Sequence, residues 1–151
     1  MRGLEGVGVV VENLNPEAEQ DGLYRNRLQT YIELRLRKAG IRVLTKEEQS
    51  NLPSSPYLYI NVNAMKTTEL GAYVFSTTVS LSEWVRLVRK PFLLVSATTW
   101  RTPEGVGIVK AFRLEEFVFK QVGAMVDEFI NDYLAANPQP ETVKPQPFKK
   151  D

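Results

Sequence analysis

The sequence predicts an α/β (α+β) fold, a two-layer sandwich in which a mixed five-stranded sheet, in the order β-α-β-β-β-β-α, carries two helices on one face. Three observations predict it. A β-branched run near the start is followed by a helix with one apolar stripe. The middle of the chain alternates apolar and polar residues over three long segments. A second, longer amphipathic helix closes the pattern. Two helices with one greasy stripe each must bury it, and one face of a sheet accepts both.

The elements follow in order. Val7 to Val11 is an unbroken β-branched strand, buried or nearly so on both faces. Asn15 before Pro16 caps a single helical turn. Asp21 is placed to cap a helix over about Leu23 to Ala39, with Leu28, Ile32 and Leu36 as its stripe. Gly40 supplies the left-handed stop. Ile41 to Leu44 reads as a short second strand, closing a right-handed parallel crossover with the first. Thr45 and Glu48 have capping-box spacing for one more helical turn. The long strands are Tyr57 to Met65, Ala72 to Leu87 and Phe92 to Trp100. A turn at Thr102 to Gly105 leaves room for a further short strand, Val106 to Lys110, beyond those five. The closing helix spans about Arg113 to Ala136 and lacks a good N-cap residue.

The domain is expected over 1–137. The remainder, 138–151, holds four of the nine prolines and two Pro-Gln-Pro repeats, and is expected to be a disordered tail. The chain has no Cys and no His, which excludes disulfides, thiolate nucleophiles, imidazole bases and Cys/His zinc sites. The formal charge of +1 comes from the tail, so the body is neutral. A neutral body gives no general steering toward nucleic acid, and the sheet lacks the aromatic-glycine pattern of RNA-binding sheets. No apolar run approaches the roughly 20 residues of a membrane span. The chain opens without a leader peptide, which fits either a cytoplasmic protein or an exported one lacking its leader.

Catalytic, metal and cofactor candidates are weak, so no catalytic residue, no metal and no cofactor is assigned. Glu83 shares the parity of Leu81 and Val85, and a place at the sheet rim or past a bulge explains it better than burial. Glu17, Glu19 and Asp21 imitate half a calcium loop, but the twelfth position is Leu28. Arg25, Arg27, Arg35, Arg37 and Lys38 read as the solvated face of the first long helix, in preference to a face for a phosphate or lipid headgroup, because three of them lie in the last turn where cations suit the helix dipole.

The open sheet face is more informative. If Leu58, Val79 and Val95 point at the helices, alternation sends Tyr57, Tyr59, Trp84 and Trp100 outward, among small hydroxyl residues. The expected register sets Tyr59, Ser80 and Trp100 in one row across the strands. Tyr57, Tyr59, Trp84 and Trp100 are therefore the candidate partner-binding residues, for a protein partner or for self-association. An exposed edge strand offers a second route.

Four segments together carry a resemblance: Gly8 to Leu14, Leu36 to Leu44, Tyr57 to Asn63 and Asp127 to Leu134. Over residues 3–137 the chain resembles a family of small, uncharacterised bacterial proteins that usually carry an export signal. More distantly its element order is similar to the N-terminal domain of the Tol-system translocation protein and to the core of the curli-secretion lipoprotein. The resemblance implies a periplasmic or secreted protein of the cell envelope that binds or assembles with other proteins and is not an enzyme. It transfers no site residues. The rival readings are a glycan-acting hydrolase with paired carboxylates and a structural subunit of a larger complex.

Overall fold

The computed structural model describes residues 1–67 and 69–138. The segment expected to be a disordered tail lies outside the described residues, apart from Pro138. The five strands are β1 (Gly8–Val11), β2 (Tyr57–Thr67), β3 (Ala72–Leu87), β4 (Lys90–Arg101) and β5 (Gly105–Lys110). The helices are α1 (Pro16–Gln20), α2 (Arg25–Lys38), α3 (Lys46–Asn51) and α4 (Leu114–Ala136). The sheet runs β1-β2-β3-β4, and β5 also pairs with β3. β1 is parallel to β2 and every other pair is antiparallel. The sixteen-residue β3 serves two partners in turn, β5 along Ala72–Thr77 and β4 along Ser80–Leu87.

Local chemistry explains where the elements begin and end. Asn15 Oδ1 accepts from the Glu17 N–H at 3.0 Å and Pro16 opens α1. Gly40 holds φ at +77°, and its N–H closes α2 on the Arg37 carbonyl. Thr45 and Glu48 form the full capping box at the start of α3. Asp21 does not cap α2, whose N-cap position is Tyr24 without a side-chain bond. Its carboxylate instead accepts from Lys66 Nζ and the Tyr73 hydroxyl, each at 2.7 Å. These two bonds hold the Asp21 carboxyl below its ordinary range, Lys66 contributing most.

The expected strand Ile41 to Leu44 shrinks to one parallel bridge, Val7 to Val43. Val7 donates to the Arg42 carbonyl and accepts from Leu44 N–H, both at 3.0 Å. The chain then turns away into α3, because the capping box at Thr45 starts a helix where a strand would need to continue.

One apolar core lies between the sheet and the helices α2 and α4. Leu58, Ile60, Val62 and Ala64 of β2 and Phe75, Val79 and Leu81 of β3 are buried in it, as their alternation predicts. Leu28, Ile32 and Leu36 of α2 meet Val118, Val122, Val126 and Phe129 of α4 in the same cluster. Gly107 of β5 faces Phe75, and a Cβ there would sit 2.7 Å from the ring, so this close approach requires glycine. The far end of α4 holds the first residues of the chain. Tyr133 donates to the Leu4 carbonyl at 2.7 Å, and Asn137 exchanges bonds with Gly3 and Met1.

Candidate binding surface on the open sheet face

The residues that face away from the helices follow from the register. Val10, Tyr59, Ser80 and Arg101 stand side by side across β1, β2, β3 and β4. The next row is Gly8, Tyr57, Ser82 and Thr98. The Tyr57 and Tyr59 rings lie 6.4 Å apart, edge to face. With Asn61, Thr78 and the hydroxyls of β3 they line a groove of about 380 Å³, with Arg101 at its far wall. Asn61 donates to the Glu12 carboxylate and accepts from Asn63 at 2.6 Å. Burial and the nearby Glu12 carboxylate raise the Tyr59 phenol above its usual value, which keeps it a neutral donor. The groove therefore offers two aromatic walls, one cation and a bed of hydroxyl and amide groups.

Trp84 also faces outward, opposite Ser96, but it stands apart from the tyrosine pair. Its backbone N–H donates to the Ser54 carbonyl at 2.7 Å, and with Leu52, Pro53 and Leu94 it lines a shallow hollow beside the α3–β2 loop. It is 47% exposed.

Trp100 is on the opposite face. Its ring packs edge-on against Phe129 at 5.2 Å, and its Nε1 donates to Asp132 of α4 at 2.8 Å. A β-bulge is the cause. Ser82 pairs with Thr98 and Leu81 with Trp100, leaving Thr99 as the extra residue. One extra residue reverses the parity, so Trp100 turns to the core and Arg101 takes its place beside Ser80. Alternation alone therefore cannot place Arg101 on this face. Glu83 sits at the same irregularity, half-buried, accepting from the Thr99 hydroxyl at 2.7 Å.

The register also reveals a second region of this face. Met65, Val74 and Ile108 form a row across β2, β3 and β5, with Val106 opposite Ser76 in the next. Met65, Val106 and Ile108 are each about two-thirds exposed or more. The parity of Tyr57 already points Met65 outward; Val106 and Ile108 needed the pairing of β5.

The four arginines of α2 are engaged elsewhere. Arg25 donates to Asn13, Arg27 pairs with Glu115, Arg35 with Asp127 and Arg37 with Glu33. Two of these pairs tie α2 to α4. Among the described residues no cluster of His, Cys, Asp and Glu could hold a metal ion, and no helix is long and apolar enough to cross a membrane.

No family model matches the chain, and no curated protein matches it. In fold it is distantly similar to the solved structure of the rare lipoprotein B from Shewanella oneidensis, at 12% identity over 85% of this chain and 94% of that chain, with a TM-score of 0.41.

Proposed function

We propose that the protein is a non-catalytic binding or assembly module that receives a protein partner on its open sheet face. The observation that carries this reading is the composition of that face: a tyrosine pair, an arginine and small hydroxyls at one end, an uncovered apolar row at the other. Tyr and Arg are the side chains that most often anchor protein interfaces, and apolar rows of this kind are normally covered in a soluble domain. The contact residues are Tyr57, Tyr59 and Arg101, with Trp84 at the margin of the surface. Placement in the bacterial envelope rests on the sequence resemblance.

The double variant Tyr57→Ala/Tyr59→Ala tests the reading, in pull-downs from bacterial envelope extracts and in sedimentation of the protein alone. Partner recovery or self-association should fall by at least tenfold while circular dichroism stays unchanged, since two anchors of this type usually exceed 2 kcal/mol together. An unchanged partner profile in the folded variant would move the contact elsewhere.

A further inference from the structure

A different part of the molecule suggests a second contact. Past Leu81, β3 and β4 run on as a hairpin, and its tip breaks the usual economy of such turns. Leu87 pairs with Lys90, so Val88 and Arg89 form the turn. Two-residue hairpin turns favour Asn-Gly and positive φ. Here the corner is a β-branched valine, and the one non-glycine residue with positive φ among those described is Ser55. Arg86 pairs with Leu94, so Pro91, Phe92 and Leu93 bulge from β4 with nothing opposite. Arg86 Nη1 folds over this bulge onto the Pro91 carbonyl at 3.0 Å. Val88 is left 98% exposed and Phe92 96%, with Leu93 and Leu94 near half. Neither the turn nor the core gains from these side chains.

Charge identifies what they meet. Arg86, Arg89 and Lys90 surround the tip, and no Asp or Glu occurs from Trp84 to Arg101. None of the three cations has a carboxylate partner among the described residues. Val88 and Phe92 are almost wholly exposed and line no pocket or groove among the described residues, so they offer apolar area without a shaped seat, which suits a soft medium better than a shaped protein pocket. Long basic side chains can lay their stems in hydrocarbon and keep their charged ends at the headgroups. Trp84 stands four residues below Val88, roughly 13 Å along the strand, the level at which an indole favours the membrane–water boundary. We propose that the β3–β4 hairpin docks on an anionic lipid bilayer, with Val88 and Phe92 inserted among the acyl chains and Arg86, Arg89 and Lys90 on the lipid headgroups.

The test is co-sedimentation of the full chain with vesicles of phosphatidylcholine alone and of phosphatidylcholine mixed equally with phosphatidylglycerol. Binding is expected to the anionic vesicles and to weaken as salt is raised. Arg89→Ala with Lys90→Ala should weaken it about 25-fold, each cation contributing about fivefold. Val88→Ser with Phe92→Ser should weaken it at least tenfold without altering charge. Both pairs are exposed, so far-UV circular dichroism should not change. In a Trp100→Phe background the emission of Trp84 should shift to the blue on anionic vesicles. Failure to bind the anionic vesicles, or equal binding to neutral ones, overturns the proposal. So does self-association without lipid that Val88→Ser/Phe92→Ser abolishes, because that outcome gives the tip to a second copy of the chain. The tip variants leave Tyr57, Tyr59 and Arg101 intact, so this test and that of the sheet face fail separately.

Discussion

β2 and β4 both alternate, both pair along β3, and only one of them is covered. In β2 the inward residues Leu58 and Ile60 are fully buried. In β4 Leu93 remains 48% exposed, and Val95 and Ala97 are only half-buried. The difference lies in the helix layer. α4 tracks β3 from Thr77, which donates to Gln121, to the neighbourhood of Leu81, where Phe129 and Asp132 hold Trp100. Its last turn holds the first residues of the chain instead. Beyond that point the strands continue without a roof. Period-two alternation says which residues share a face; it does not say that anything lies over that face.

The largest effect should come from the covered side of this comparison. Leu81→Ala is expected to cost about 2–5 kcal/mol, since it opens a cavity in a packed region. Leu93→Ala should stay within about 0.5 kcal/mol. Urea denaturation of the two variants measures both, and comparable losses would mean that the arm is packed against something. Gly107→Val should cost about 1–3 kcal/mol through collision with Phe75, and Phe75→Leu should recover part of it. Trp100→Phe keeps the contact with Phe129 and removes the bond to Asp132, with a loss of about 1 kcal/mol by the same measurement. A null result there would place the indole outside the core.

The smallest effect is in pH. The Asp21 carboxyl is held below 3.8 by Lys66 and Tyr73 in the folded state. Its contribution is present above that value and is lost as pH falls through the lower, folded value. Tyr73 is displaced upward from 10.0, by burial first and then by Asp21. Its contribution is complete below pH 10.0 and is lost as pH rises toward the higher, folded value. Asp21→Asn should flatten the acid limb of a thermal-melt series, and Tyr73→Phe the alkaline limb.

Much of the fold was legible because local chemistry and tertiary packing agree. The stripe Leu28, Ile32, Leu36, the Gly40 stop, the Thr45 capping box and the inward residues of β2 all lie where their spacing puts them. Ile41 to Leu44 has strand composition, yet a stronger local signal at Thr45 takes the chain away after one bridge. Half of the proposed surface was legible. Tyr57, Tyr59 and Trp84 face outward as their parity requires. Trp100 and Arg101 exchange faces at Thr99, and a single inserted residue leaves no mark on a count of alternating positions. The exposed tip was hidden for a related reason: Leu93 shares the parity of Val95 and looks like strand core until the pairing shows that nothing stands opposite it.

The clasp between Asn137 and Met1 brings both ends of the described chain to a single point. Chain connectivity can therefore be rearranged around it. A short flexible linker from Pro138 back to Met1, with new termini cut at Val88–Arg89, should give a circular permutant that folds to the same sheet, because the cut falls in an exposed turn outside the packed core. Such a molecule would keep the tyrosine groove and lose the continuous tip.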